Sequence, residues 1–430
     1  MSELAVNSSD KQHQRPSRLK DRFRRCWIFC CILGGLGFTA VVSIVGLDIA
    51  FGMWRQPNFS EDLQSIPYYA SQPWTPRFEA DQNGIASAKV EYQPFTVWRR
   101  PPYSSGTVNV NADGLRVVPG SRCEEGAPRI FFFGGSTMWG TSSPDEGTIP
   151  ALFLREVSPL SGGPLCVKNF GESAWVSTQS VIALINAIQR KEIPDLVIFY
   201  EGANDLNWTF GNNSPYRHGG YESIAATFKR ASRGRGQGRN RTVDLASVVR
   251  ALAPNIATAL DRRRQFGNGP SDRSPQGVER LANQAIDVYF ANQQIVRALA
   301  REYGFRCHFF WQPFLIYDRK PLAEGESNIL DRAATWAESF RPFAAAANAR
   351  ITTNQASDFT DLSGLFATTE AQLYTDMVHV TPDGNALVAH AMAKTLGEVL
   401  EELSKNHVAA PLTRPSQNRT LAPSRANDPR

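Results

Sequence analysis

From Arg129 onward, short apolar runs that read as strands alternate with longer stretches of helical periodicity, and this alternation admits few folds. The strand signals are Arg129–Phe133, Leu165–Asn169, Asp195–Tyr200, Arg306–Gln312 and a shorter Phe359–Leu362. Helical patterns lie between them at Ile149–Val157, Ser177–Lys191, Gly277–Tyr303 and Asp331–Ala349. In the third pattern Val278, Leu281, Ala282, Ala285, Tyr289 and Val296 keep roughly helical spacing. Such alternation predicts an α/β domain with a five-stranded, mostly parallel sheet between two helical layers.

The remaining chain divides by composition. Trp27–Leu47 carries no charged residue, and as a helix it would extend about 30 Å, close to the hydrocarbon thickness of a bilayer. Arg15, Arg18, Lys20, Arg22, Arg24 and Arg25 precede it. Positive-inside logic then predicts a cytoplasmic tail over 1–26, an uncleaved signal anchor over 27–47, and export of the chain beyond Asp48 to the periplasm or exterior. Residues 48–90 read as a polar stalk, 91–404 as the compact α/β domain, and 405–430 as a disordered tail. Within the domain, 207–275 interrupts the alternation. Its Arg230–Arg241 run is too rich in Gly and Arg to bury a core and is expected to be mobile, with a short helix at Leu245–Leu260 beside it. An insertion there can act as a lid, although a solvated loop is the plainer reading.

Charge and cysteines narrow the function. The net charge of +5 is concentrated in the N-terminal segment and in Arg230–Arg241 and Arg262–Arg264, without the interleaved aromatics of a nucleic-acid face. Cys26, Cys30 and Cys31 fall at the cytoplasmic end of the anchor, where packing or lipidation is open. Cys123 and Cys166 both lie near strand starts and could pair in an oxidising compartment, and no metal-type spacing occurs among the cysteines.

Four short blocks sit where strands end. In Phe131-Phe-Phe-Gly-Gly-Ser-Thr-Met-Trp-Gly140 two glycines permit a tight turn that exposes the Ser136 hydroxyl. Met138 two residues later argues against the Gly-x-Ser-x-Gly elbow of ordinary α/β-hydrolases. His379 precedes a helix start at Thr381-Pro382-Asp383-Gly384, and Asp376 lies three residues before it on the same loop. That spacing lets a carboxylate bind one imidazole nitrogen while the other faces Ser136. Asn169-Phe-Gly171 and Gly202-Ala-Asn204-Asp205 supply donors for an oxyanion: the amides of Ser136 and Gly171 and the side chain of Asn204. Asp205 and Asp361 are competing acids, read as a support for the Asn204 loop and a strand-end residue.

Taken in order, these blocks resemble those of the SGNH hydrolases, also called GDSL esterases, over about Glu91 to Leu403. Gly135 stands where many members carry Asp, and Ala174 where a later glycine is often found. The resemblance implies a three-layer, flavodoxin-like hydrolase that needs no metal or organic cofactor. Ser136 would be the nucleophile, His379 the base and Asp376 its orienting acid. An acyl ester is then the expected substrate, with acetylated surface glycans first among candidates. An O-acyltransferase acting on a polysaccharide, a lysophospholipase or thioesterase, and a non-catalytic glycan-binding protein are the alternatives. Sequons at Asn58, Asn207, Asn212, Asn240 and Asn418 matter only in a host that glycosylates.

Overall fold

The computed structural model describes residues 16–54, 63–236, 252–253, 269–317 and 319–409. The chain divides into two units: Met1–Pro57 with Ala226–Arg264, and Asn58–Ala225 with Gln265–Arg430. The first unit contains helix α1 (Pro16–Trp54), 39 residues long and continuous across the stretch expected to be the anchor. Among the described residues, no helix is long and apolar enough to cross a membrane. Side chains of Cys26, Cys30, Leu33 and Leu36 in α1 are outside the described residues, as is most of the expected Leu245–Leu260 helix.

The second unit opens with α2 (Pro67–Ala70), α3 (Thr75–Ser87) and a hairpin of β1 (Glu91–Gln93) and β2 (Val97–Arg99). The stalk expected over 48–90 is therefore corrected from Leu63 onward. Leu63, Ile66, Tyr69, Phe78 and Ile85 are buried against Val108, Val110 and Trp139. The aromatics of this stretch meet across the turn between α2 and α3. Tyr69 stacks on Phe78 at 6.5 Å, and Trp74 packs edge-on against both. Burying such rings supplies roughly 1.5–3 kcal/mol each, more than a solvated tether could hold.

The central sheet comprises β3 (Arg129–Gly134), β4 (Cys166–Asn169), β5 (Leu196–Glu201), β6 (Arg306–Trp311) and β7 (Phe359–Asp361). Its order is β4-β3-β5-β6-β7 and every pairing is parallel. Helices fill the connections: α4 (Ser136–Trp139), α5 (Ile149–Ser161), α6 (Ser177–Gln189) and α7 (Ala203–Asn212), while α8 (Tyr221–Gly236) begins in this unit and continues into the first. After these come α9 (Pro275–Tyr303), α10 (Glu324–Arg332), α11 (Ala334–Ile351), α12 (Pro382–Thr395) and α13 (Gly397–Ala409).

Successive residues of a strand face opposite sides, so the Phe131–Phe133 run feeds two cores. Phe131 and Phe133 join Phe199 and Trp311 under α6, α9 and α11, whereas Ile130 and Phe132 join Ile198 and Phe310 under α5 and α12. In this strand order the chain leaves β3 in one direction for β4 and crosses back for β5. The connections on either side of β3 and β5 thus part at their carboxyl ends, where open α/β sheets leave a crevice.

Two expected boundaries move. The run expected to be mobile is helical in α8 as far as Gly236, and its remainder is outside the described residues. The tail expected to begin at 405 is helical to Ala409, with 410–430 outside them. Cys123 and Cys166 form a disulfide that ties the loop before β3 to the start of β4.

Candidate active site

Strand β3 delivers Ser136 to the crevice through two glycines that cannot be exchanged for larger residues. A Cβ on Gly134 would strike the Tyr200 carbonyl of β5, and one on Gly135 would strike the Asn204 side-chain amide. Gly135 is the N-cap of α4, so Ser136 is the first helical residue and its amide is among the donors that a helix start leaves without an intrahelical acceptor. The helix is one turn long and stops at Gly140, whose φ of 92° places it in the left-handed region.

His379 arrives from the far end of the chain on a loop tied down at several points. Its carbonyl accepts from the Thr375 amide at 2.9 Å, and Tyr374 bridges Val380. Thr381 caps α12 by accepting from the Gly384 amide at 3.3 Å. Behind the loop, the Glu326 carboxylate accepts from the amides of Leu373 and Tyr374 at 2.9 and 3.0 Å. Its other oxygen meets Lys320 Nζ at 2.7 Å in a fully buried ion pair.

The three expected catalytic residues form one hydrogen-bonded line. Ser136 Oγ lies 2.7 Å from His379 Nε2, and His379 Nδ1 lies 2.6 Å from Asp376 Oδ2. Asp376 Oδ1 also accepts from the amides of Val378 and His379, at 2.9 and 2.8 Å. Burial works to raise the Asp376 pKa, but His379 and these amides outweigh it and hold the carboxyl below its ordinary value. An ionised Asp376 fixes the Nδ1–H tautomer and leaves Nε2 as acceptor for the serine proton. Asp205 binds Ser177 and Asp361 caps Ser363, so neither competing acid is among the hydrogen-bond partners of His379. A cavity of about 10 Å³, room for roughly one water, is lined by His379, Thr137, Thr141, Tyr200 and Asn385.

The expected oxyanion donors fare differently. Asn204 Nδ2 donates to the Trp175 carbonyl at 2.8 Å, which leaves its second N–H at the face of Gly135. Gly171 lies against the backbone of Met138 and Trp139, yet its amide donates to Asn169 Oδ1 at 2.9 Å. That is a correction: the Gly171 amide has a protein acceptor, because Asn169 turns back on its own loop while its Nδ2 holds the Met138 carbonyl.

Sequence reading passed over the charges that hold this rim. Arg100 binds buried Glu172 at 2.6 Å and stacks over Trp139, and Arg116 binds Asp145 at 2.5 Å under the same ring. Arg99 lies over Trp175, and burial lowers its pKa to about 10. The Trp98-Arg99-Arg100 run was the available clue, since cations flanked by aromatics favour stacking.

No family model matches the chain, and no curated protein matches it. Among solved structures it is similar to an acetyl xylan esterase, AlAXEase, with 14% identity and a TM-score of 0.30 over 62% of this chain and 99% of that one. A Clostridium thermocellum family 3 carbohydrate esterase gives 13% and 0.30 over 65% and 99%. A putative lipolytic protein of the G-D-S-L family from Desulfitobacterium hafniense DCB-2 gives 11% and 0.27 over 62% and 99%. Likeness at this level assigns neither a fold nor an activity.

Proposed function

We propose that this chain is a serine esterase of the SGNH type, and the line Ser136–His379–Asp376 carries the reading. Ser136 Oγ attacks the acyl carbonyl as its proton passes to His379 Nε2, and Asp376 stabilises the resulting imidazolium. The amide of Ser136 and the free N–H of Asn204 receive the oxyanion. Collapse expels the alcohol, which takes the proton from His379, and leaves the acyl group on Ser136. Water then attacks that ester with His379 again as base, releasing the acid and restoring Ser136. Gly171 enters as a third donor only if its amide leaves Asn169.

O-acetyl groups on surface glycans are the first substrates to test. The full-length chain should hydrolyse a chromogenic acetyl ester, and Ser136→Ala should remove that turnover. Wild type and variant equally inert across acyl lengths would end the esterase reading. Transfer to a sugar hydroxyl is separated from hydrolysis by product analysis with glycan present. A preference for long chains would instead favour a lysophospholipase or thioesterase.

We further propose that Trp27–Leu47 anchors the chain with its catalytic domain outside the cytoplasm. The uncharged run behind a basic flank supports this, as does the Cys123–Cys166 disulfide, a bond typical of oxidising compartments. Release of the chain from washed membranes by carbonate would refute the anchor.

A further inference from the structure

Beneath the turn that presents Asn204, several buried polar atoms lack a close hydrogen bond. Glu201 ends β5 and Asp205 lies in the first turn of α7, one on each side of Gly202-Ala203-Asn204. Asp205 Oδ1 is fully engaged, accepting from the Ser177 amide at 3.0 Å and its hydroxyl at 2.6 Å. Asp205 Oδ2 and Glu201 Oε1 are buried without a close hydrogen bond, as are Ser180 Oγ, which faces Glu201, Tyr289 Oη and Gln293 Nε2, which face each other, and the Trp311 Nε1–H donor. These groups share a neighbourhood. Trp311 is the register partner of Glu201, its ring lies against Gly202, and Tyr289 packs edge-on to it at 5.1 Å.

Two carboxylates buried on either side of one three-residue turn, each with an orphaned oxygen, are too costly to leave both charged. We propose that Glu201 and Asp205 hold one proton between them, and that this shared proton braces the turn that aims Asn204. The reading rests on the proposed esterase site for its catalytic consequence, though the proton itself does not. A shared O–H would give both orphaned oxygens a partner. It also ties the end of β5 to the start of α7 across the turn. Glu201 and Asp205 are positioning residues, because they act through Asn204 and touch no reacting atom.

The surroundings agree. Burial raises the pKa of both carboxyls and the charge of Asp205 raises Glu201 further, outweighing the Ser180 hydroxyl on Glu201 and, on Asp205, Ser177 and the amides of Gly202 and Asp205. Tyr289 on α9 is the other titratable group facing the pair, and burial raises its pKa too. Arg297, farther along α9, is committed to Asp358 at 2.6 Å. The groups presented by α6 and β6, namely Ser177, Ser180 and Trp311, do not titrate in the relevant range. Among the described residues no cation is hydrogen-bonded to either carboxyl, so a proton is the available counter-charge.

The folded chain therefore keeps a proton that the unfolded chain releases above the ordinary glutamate value. Stability then falls as pH rises from there until the folded pair ionises and the difference closes. Ionisation returns the proton to solvent and sets two charges against each other across the Asn204 turn.

The test uses full-length wild type, Glu201→Gln, Asp205→Asn and Asn204→Ala. Infrared spectra at neutral pH should show a protonated carboxyl C=O band that Glu201→Gln deletes and Asn204→Ala keeps. Asp205→Asn, which removes the partner and not the acid, should shift it. With an acetyl ester, kcat should decline on the alkaline side at steady KM in wild type, and Glu201→Gln should abolish that decline. If Glu201→Gln does not fold, the wild-type band against Asp205→Asn still decides. A wild type without the band, a band indifferent to Asp205→Asn, or an alkaline decline unchanged in Glu201→Gln would each overturn the proposal. Because the spectra need no turnover, an inert enzyme that shows the band would refute the esterase reading alone.

Discussion

The side-chain amide of Asn204 occupies the space that a Cβ on Gly135 would need. A β-carbon has no room there while Asn204 holds its place, which accounts for the glycine. Gly135→Ala should push Asn204 out of line and lower kcat by about 10²–10³-fold, the usual loss of one oxyanion donor. Steady-state kinetics with an acetyl ester would check it, and an unchanged kcat would remove Asn204 from the site.

Ser136→Ala and His379→Ala should each lower kcat by about 10⁴-fold or more, and the double variant should lose little beyond either single one. Melting temperatures of the variants should stay close to wild type, since Ser136 packs no core. Losses that multiply in the double variant would mean that the two residues do not act as a unit.

Asp376 is held below its ordinary pKa, so its contribution to stability is complete above the usual carboxylate range and is lost as pH falls through the lower folded value. Asp376→Asn should therefore flatten the acid side of the stability curve below about pH 4. It should also lower kcat at neutral pH, by about 10⁴-fold where the tautomer is lost. Denaturant unfolding across the acid range would detect the first effect without an enzyme assay.

Phe78→Ala should destabilise the chain by about 3–5 kcal/mol, the cost of emptying a fully buried phenylalanine site. A tether would tolerate the change. Urea unfolding that leaves the midpoint in place would restore 63–88 to the role of a stalk.

Lys320→Met should cost about 3–5 kcal/mol, because it strands the buried Glu326 carboxylate. Glu326 also holds the Leu373 and Tyr374 amides, so activity should fall with stability as the His379 loop loosens. Activity unaffected by a measured destabilisation would separate the loop from the ion pair.

What could be read from sequence was local. The Phe131–Gly135 stretch states a buried strand and the turn that ends it in adjacent residues, and Asp376 and His379 are close enough for their spacing to imply a contact. The Gly171 amide was misjudged because its direction depends on Asn169, whose side chain chose its own loop over solvent. The aromatics between Tyr68 and Phe78 were misjudged because nothing in their own order announces Val108, Val110 and Trp139 as their cover. Glu201 gave no signal at all. A carboxylate at a strand end usually faces water, and only the packing of α9 and β6 around it shows otherwise.

Ser136 and His379 are 243 positions apart, and the base arrives on almost the last element of the fold. A chain still being synthesised thus carries the Ser136 hydroxyl without its imidazole partner. The hydrogen-bonded line closes only when the C-terminal segment docks, so under the proposed esterase reading nascent chains are inert toward any ester they meet, and activity itself reports that folding is finished.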